Sequence, residues 1–208
     1  MTLLILARHG NTFEPGETAV WVGAQEDLPL AKKGLKQAED LGHALVASGQ
    51  KPATIISGPL QRTRKAAEIA ANLTGFSGDI EIDDRLKEID YGSWGGRSDA
   101  DIIAKWGEDA LAAWRDRNER PEGADWSPDA ATLKGNALAV IHDLQHVDSP
   151  VLVVTSNGIL RYFHAALGFD GDAKVKTGYV CAARLEVRTV APLFWNFDPA
   201  NGLEFPAG

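Results

Sequence analysis

The sequence predicts an α/β fold, a three-layer α/β/α sandwich around a mostly parallel central sheet. Apolar runs of strand length alternate along the chain with longer segments whose apolar residues recur at helical spacing. The first run, TLLILA at 2–7, is continuously apolar, which is typical of a strand buried on both faces of a parallel sheet. A length of 208 residues fits one domain, with a helical insertion at about 98–128.

The elements that follow the first strand share this alternation. In chain order, the predicted segments are a helix over 31–49, a strand over 53–57, a helix over 60–75, a strand over 80–86, one or two helices over 98–118, a helix over 129–147, a strand over 150–156, a helix over 159–168, and strands over 179–187 and 192–197.

Local residues justify these boundaries. The helix over 31–49 carries one apolar stripe, and the helix over 129–147 carries another; the stripes are Leu35, Ala38, Leu41 and Leu45, and Leu133, Ala137, Ile141 and Leu144. Gly58-Pro59 opens the helix over 60–75, and Gly75 ends it as a cap. GSWGG at 92–96 predicts a loop, and PEGADWSP at 121–128 predicts a break between helices.

Composition narrows the possible partners and location. The net charge of −8 and a pI near 5.1 argue against a nucleic acid or an anionic membrane, because both bind basic surfaces. The single cysteine, Cys181, lies in a strand-like stretch and is expected to be a buried free thiol. The apolar run from Leu3 to Ala7 is too short for the core of a signal peptide, so we expect a cytoplasmic protein.

Three strand ends carry polar residues suited to chemistry. In open α/β sheets, sites form beyond the carboxyl ends of the strands. The first strand leads into Arg8-His9-Gly10, and the strand over 150–156 ends in Ser156-Asn157-Gly158. The positive charge of Arg8 disfavours imidazolium, which would keep His9 neutral and nucleophilic. A histidine after a strand can equally be structural, and the turn at Ser156 can equally be an ordinary helix cap.

Two further residues complete a candidate anion site. Arg62 lies one turn into the helix after the second strand. Its guanidinium and the N-terminus of that helix both favour a phosphate. The alternative is that Arg62 is an ordinary helix arginine exposed to solvent. Glu88 lies in RLKEIDYGSWGG, and a carboxyl group with a raised pKa can serve as a general acid. Asp90 is its nearest rival, and a surface role is open for both.

Four motifs in order, LARHGNT, LPLAKKGLKQAEDLG, SGPLQRTRKAAEIA and RLKEIDYGSWGG, resemble the histidine phosphatase superfamily, also called the phosphoglycerate mutase-like family. The resemblance covers nearly the whole chain. It implies a phosphomonoester hydrolase of a small phosphorylated metabolite, with His9 as the residue that becomes phosphorylated and Glu88 as general acid and base. It further implies phosphate binding by Arg8 and Arg62, with Asn11 and Thr12 as added donors, and requires no metal or organic cofactor.

The chain departs from the family pattern at the turn after residue 155. Ser156 stands where the family has a second histidine, and Asn157 stands where it has a glycine, while Gly158 and Arg161 match. Serine replaces a charged donor with a weaker neutral one, so a slower enzyme or a different substrate is expected. Asn157 could compensate through its side-chain amide, or it could be there because asparagine tolerates left-handed backbone conformations.

Two alternatives to a phosphatase therefore stay open at this point. One is a catalytically weakened phospho-ligand binding or regulatory homologue, which the serine at 156 favours. The other is a mutase, but Arg115 and Arg117 are separated by Asp116, whereas the mutase branch has adjacent arginines, so hydrolysis is favoured.

The pair His142 and His146 has a spacing that can bind a metal, but no third ligand is evident and exposed helix histidines are favoured. The sequence does not set the oligomeric state.

Overall fold

The computed structural model describes residues 1–147, 150–186 and 189–205. Within these ranges there are six strands and six α-helices. The strands are β1 (Thr2–Arg8), β2 (Thr54–Ser57), β3 (Glu81–Ile82), β4 (Val151–Thr155), β5 (Val180–Leu185) and β6 (Val190–Phe197). The helices are α1 (Lys32–Ala47), α2 (Gln61–Thr74), α3 (Asp99–Trp106), α4 (Glu108–Arg115), α5 (Ala130–Leu144) and α6 (Asn157–Ala166).

The strands form one mixed sheet in the order β3-β2-β4-β1-β5-β6. β1, β2, β3 and β4 are parallel to one another, and β5 and β6 extend the sheet in antiparallel pairing on the far side of β1. The predicted α/β fold with a mostly parallel sheet is confirmed. Because β1 and β4 are adjacent and parallel, their carboxyl ends meet at the same edge.

Helices cover both faces of this sheet. Alternate residues of a strand point to opposite faces. Leu4 and Leu6 pack in a cluster that includes α5 and α6, whereas Leu3, Ile5 and Ala7 pack in a second cluster with α1 and α2. This two-sided burial explains why the β1 segment is continuously apolar.

The segment predicted as a helical insertion folds against the α5 and α6 side of the sheet. Ile102 of α3, Leu111 and Trp114 of α4, and Trp126 in the following loop are buried in the same cluster as these helices. The description of the chain as a single domain with an insertion at about 98–128 stays a prediction.

One predicted strand is much shorter than expected. The segment 80–86 was expected to be extended throughout, but β3 covers Glu81–Ile82 alone and a 3₁₀ turn over Asp84–Leu86 follows it. The Asp83 carboxylate accepts a hydrogen bond from the Arg85 amide at 2.8 Å, and such a local bond competes with strand pairing. At the other end of the chain, Val187 of the predicted strand over 179–187 lies outside the described residues.

Residues without a place in the predicted phosphate site occupy ordinary positions. Cys181 on β5 is fully buried, and burial raises the pKa of its thiol, so the sulfur stays protonated and unreactive. His142 and His146 are exposed, and among the residues that the structure describes no group of three potential metal ligands is present. No helix in the described ranges is long and apolar enough to cross a membrane.

Candidate active site

A cavity of about 340 Å³ lies where β1 and β4 end. The backbone joins the two strand ends directly, because the His9 amide donates to the Thr155 carbonyl at 3.0 Å. Seven of the eight predicted site residues line the cavity: Arg8, His9, Asn11, Thr12, Arg62, Glu88 and Asn157. The structure therefore brings together residues from the ends of β1 and β4, the start of α2 and the segment after β3.

His9 is held as a neutral imidazole with one nitrogen turned to the site. Its Nδ1 lies 2.8 Å from the Gly10 carbonyl, which requires the proton on Nδ1 and leaves the lone pair on Nε2. The Arg62 Nε donates to that Nε2 at 3.2 Å. Burial, with the charges of Arg62 and Arg8, puts the pKa of His9 well below its ordinary value. A neutral imidazole with an unprotonated Nε2 can act as a nucleophile once the Arg62 guanidinium donates to another acceptor.

A close backbone approach sets the position of the histidine. A Cβ placed on Gly10 would lie 2.6 Å from the Cα of Gly34, so this crossing admits no side chain. The loop after β1 therefore packs directly on the start of α1, which supports the main chain of His9 from behind. Glycine at position 10 is a packing requirement of the site.

The buried Arg62 and the partly buried Arg8 are cations that form no ion pair with a carboxylate among the described residues. Arg62 donates to the carbonyls of Gly23 at 2.7 Å and Glu26 at 3.1 Å, and Arg8 donates to the Val175 carbonyl at 2.6 Å. Burial lowers the pKa of Arg8 to about 10, so it stays charged at neutral pH. Neither arginine forms an ion pair with any carboxylate in the described ranges. This uncompensated charge suits a bound anion.

Glu88 has the environment of a general acid. Its Oε1 accepts from the Ile89 amide at 2.9 Å, and its Oε2 accepts from the Gly158 amide at 3.3 Å. Burial raises the pKa of Glu88, although these two amides and the charges of Arg62 and Arg8 oppose the rise. The rival, Asp90, does not line the cavity, and its carboxylate accepts from the Gly92 amide at 2.8 Å. The geometry therefore favours Glu88 over Asp90.

Gly158 at the start of α6 leaves room for the Glu88 carboxyl group. A Cβ at this position would overlap Glu88 Oε1 and come within 2.7 Å of the Tyr91 hydroxyl. We expect Gly158→Ala to displace the carboxyl group and to lower kcat/KM roughly 10²-fold, the scale seen when a catalytic group shifts by about 1 Å. Steady-state kinetics on a phosphomonoester will measure the loss.

Gly135→Ala is the matched control for this prediction. Gly135 lies on α5, and a Cβ there would meet nothing within 4 Å. This variant is expected to keep full activity and to be more stable by about 0.4–1 kcal/mol, because alanine reduces the entropy of the unfolded chain. Full activity in Gly158→Ala would contradict the proposed placement of Glu88.

Two asparagines present side-chain amides to the cavity. Asn157 Oδ1 accepts from the Val175 amide at 2.8 Å, and Asn11 Oδ1 accepts from the Thr177 hydroxyl at 2.6 Å. With both oxygens engaged as acceptors, the Nδ2 groups remain as donors. This geometry favours Asn157 as a compensating donor over a purely conformational role.

Ser156 lies apart from the other predicted residues. It is fully buried, it does not line the cavity, and its Oγ has no hydrogen-bond partner within the described part of the chain. A serine side chain is short, and at this strand end it does not extend to the surface of the cavity. Its contact with phosphate stays a prediction, and the cavity wall here is formed by Asn157.

Two residues that shape the site, Val175 and Tyr91, lie outside the predicted set. Val175 does not line the cavity, but its carbonyl accepts a hydrogen bond from Arg8 and its amide donates one to Asn157. A backbone group gives no side-chain pattern, and Val175 is 167 residues from Arg8 in sequence. Tyr91 lines the cavity and could have been predicted from the sequence, since it lies in the motif that contains Glu88.

Aromatic rings form one wall of the cavity. Trp21, Tyr91 and Trp114 line it, and the Trp21 and Tyr91 rings meet edge to face with centroids 5.0 Å apart. At the outer end, the partly exposed Asp99 accepts from Trp21 Nε1 at 2.9 Å and pairs with Arg115 at 2.6 Å. Rings packed in this way reduce the access of water to an anion on Arg8 and Arg62.

Comparison with known families and proteins agrees with this geometry. The family model described as "Histidine phosphatase superfamily (branch 1)" matches residues 4–189. A probable phosphoglycerate mutase (GpmB) of Salmonella paratyphi C is 39% identical over 92 residues, which cover 44% of this chain and 40% of the relative. The match thus spans less than half the length of that curated relative.

Solved structures share the fold over nearly the whole chain. YhfR of Bacillus stearothermophilus is 26% identical, with a TM-score of 0.77 over 95% of this chain and 98% of the other. A mycobacterial glucosyl-3-phosphoglycerate phosphatase is 21% identical, with a TM-score of 0.75 over 94% and 99%. A phosphoserine phosphatase mutant from Entamoeba histolytica is 17% identical, with a TM-score of 0.74 over 94% and 97%.

Proposed function

Because the chain belongs to the histidine phosphatase superfamily (branch 1), we propose that it hydrolyses a small phosphomonoester through a phosphohistidine at His9. The observation that carries the proposal is the state of His9. It is buried and neutral, and its Nε2 lies 3.2 Å from the Arg62 Nε in a cavity that Glu88 also lines. Nucleophile, cationic clamp and acid therefore lie in one cavity.

Substrate binding begins with the phosphoryl group. Its oxygens replace His9 as acceptors for the Arg62 guanidinium, which frees the Nε2 lone pair for attack. Arg8 supplies the second guanidinium, and the Asn11 and Asn157 amides add neutral donors. Such preorganised donors stabilise the charge that spreads over the phosphoryl oxygens in the transition state.

The chemistry then proceeds in two displacements. His9 Nε2 forms a bond to phosphorus as the ester P–O bond breaks, and Glu88 gives its proton to the departing alcohol oxygen. The ionised Glu88 then takes a proton from water, the water oxygen bonds to phosphorus, and the P–N bond breaks. Inorganic phosphate leaves, and both His9 and Glu88 return to their starting states.

The cavity favours hydrolysis over mutase chemistry. Of the two arginines near the end of α4, Arg115 lines the cavity, but Arg117 does not and instead pairs with Asp109 and Glu119. The separation noted in the sequence is therefore a real separation in space. A cavity of about 340 Å³ suits a small phosphorylated metabolite. We also propose that the protein is cytoplasmic.

The placement of Ser156 favours one second candidate. With no histidine opposite His9, a phospho-ligand binding homologue with little turnover is the alternative function. It predicts saturable binding that phosphate competes for, with phosphate release no faster than in a variant that lacks His9.

One experiment separates the two candidates. The protein is mixed with a ³²P-labelled phosphomonoester and quenched in alkali, and protein-bound label and free phosphate are followed together. The phosphatase predicts an acid-labile phosphoprotein that forms and decays during turnover. Binding without either signal would overturn the proposed hydrolysis in favour of the second candidate.

A further inference from the structure

The motif LPLAKKGLKQAEDLG at 28–42 has no place in the proposed reaction. The structure describes all of its residues, and none of them lines the cavity. Its first helical turn instead packs on Asn11, in the loop after β1. The Ala31 amide donates to the Asn11 carbonyl at 2.9 Å, and a Cβ placed on Gly34 would overlap the same carbonyl oxygen. The motif therefore contacts a residue that does line the cavity.

Gln37, on the second turn of α1, joins this loop to the segment before β5. The Asn11 amide donates to Gln37 Oε1 at 2.9 Å, and Gln37 Nε2 donates to the Thr177 carbonyl at 2.8 Å. The Thr177 hydroxyl in turn donates to Asn11 Oδ1 at 2.6 Å. These hydrogen bonds close a ring through Asn11, Gln37 and Thr177. Asn11 and Thr177 line the cavity, whereas the half-buried Gln37 lies behind them.

The ring fixes both the main chain and the side chain of Asn11. The backbone N–H, the backbone carbonyl and Oδ1 of Asn11 are all hydrogen-bonded. Its Nδ2 is the polar group that keeps no acceptor within the described residues. Because a carboxamide is planar, a bond that fixes Oδ1 also fixes the direction of the two Nδ2 hydrogens. Asn11 is therefore held as a donor whose orientation is set before a ligand binds.

The stem of Gln37 supports His9 as well. The Gly178 amide donates to the His9 carbonyl at 3.2 Å. Gly178 has a φ of +78°, and a Cβ placed on it would lie 2.7 Å from the Cβ of Gln37. The methylene groups of Gln37 thus pack on the residue that binds the His9 main chain, while the carboxamide of Gln37 holds Asn11. The two contacts can be separated by a substitution that keeps the stem.

We propose that Gln37 is a positioning residue, which holds Asn11 so that its Nδ2 donates to the phosphoryl group. The inference rests on the proposed function, in which Asn11 is one of the neutral phosphoryl donors. Gln37 itself does not touch the ligand. A donor that is already oriented needs no reorganisation when charge develops in the transition state. Without the Gln37 carboxamide, the loop at Asn11 loses its link to Thr177, and the donor has to be ordered in each turnover.

Gln37→Met tests the role of the carboxamide. Methionine has nearly the same length and keeps the stem against Gly178, but it cannot form the two hydrogen bonds. We expect kcat to fall about tenfold with a smaller change in KM, because the Asn11 donor acts mainly on transition-state charge. Lys36→Met, at an exposed neighbouring position on α1, is the matched control and should keep wild-type kinetics. A wild-type kcat in Gln37→Met would overturn the proposal.

A double-mutant cycle with Asn11→Ala separates positioning from a merely structural role. If Gln37 acts through the Asn11 side chain, Gln37→Met should cost less than about twofold in kcat once that side chain is absent. Thr177→Val, which removes the hydroxyl bound to Asn11 Oδ1, should show the same dependence on Asn11. Melting temperatures of all variants are measured beside the kinetics. An equal loss of kcat from Gln37→Met with and without the Asn11 side chain would overturn the proposal, whatever the melting temperatures.

The same cycle measured on inorganic phosphate does not depend on turnover. Isothermal titration calorimetry should show a Kd for phosphate that is weaker by about threefold in Gln37→Met, and unchanged by that substitution in the Asn11→Ala background. If the wild type hydrolyses no phosphomonoester but shows this coupling, the proposed function fails and the role of Gln37 stands. If hydrolysis occurs but both cycles are additive, the phosphatase stands and the positioning role fails.

Discussion

Replacing His9 by alanine is expected to lower phosphatase turnover by roughly 10⁴-fold or more, because the nucleophile is lost and no adjacent group can take its place. The expected result follows from geometry. Among the described residues, His9 is the one histidine that lines the cavity, and Arg62 and the Gly10 carbonyl set the direction of its Nε2. Phosphate release and acid-labile ³²P incorporation should both vanish in the variant.

A second histidine provides the control. His43 lies exposed on α1, and His43→Ala should keep wild-type turnover and labelling. Because His9 is 7% exposed, the melting temperature of His9→Ala must be measured beside its kinetics to show that the fold is intact. Label that persists in folded His9→Ala would exclude this residue as the phosphorylated group.

The lowered pKa of His9 also predicts the acid side of the pH profile. The unprotonated imidazole is the reactive form, and an ordinary histidine loses that form as the pH falls through about 6.5. Burial and the two arginines keep His9 neutral to a lower pH. We therefore expect kcat/KM to hold as the pH falls below this value, and a decline centred at the ordinary histidine pKa would contradict the proposed environment.

The residues at strand ends could be predicted because simple rules place them. An apolar run marks β1, parallel strands carry sites at their carboxyl ends, and the four ordered motifs identified Arg8, His9, Arg62 and Glu88. All four line one cavity. At these four positions the residues that form the sequence motifs are also the residues that line the cavity.

Other parts of the site depend on contacts that leave no local pattern. The backbone of Val175 holds Arg8 and Asn157, and any residue except proline could make these two hydrogen bonds. Arg161 matches a family position, but its hydrogen bonds to the Trp114 and Arg115 carbonyls and to Asn118 arise only in the packed structure. Ser156 shows that a matching sequence position does not guarantee a place in the site. It aligns with the family histidine, but it does not line the cavity.

Replacing Glu88 by glutamine is expected to lower kcat/KM for alkyl phosphates by about 10²–10⁴-fold, the usual contribution of a general acid. An alkoxide is a poor leaving group and needs the proton that glutamine cannot give. p-Nitrophenolate leaves without one, so the first step with p-nitrophenyl phosphate should be far less affected. The second step still lacks its base, so phosphorylated His9 should accumulate, and rapid-quench labelling will measure it.

The same variant has a predicted effect on stability. Burial raises the pKa of Glu88, so the folded protein binds this proton more tightly than the unfolded chain does. Stability from this group is therefore present at low pH and is lost as the pH rises through the folded pKa. Glutamine carries no charge to bury, so Glu88→Gln should melt at a temperature no lower than the wild type at mildly alkaline pH.

Asp90→Asn is the decisive comparison for the role of Glu88. Asp90 is two residues away, but its carboxylate caps the Gly92 amide outside the cavity. Its loss should leave the difference between alkyl and aryl esters unchanged, whereas loss of Glu88 should widen that difference. If Asp90→Asn widened the difference and Glu88→Gln did not, the proton would come from Asp90. The burial of Glu88 and its two backbone amide bonds would then serve packing alone.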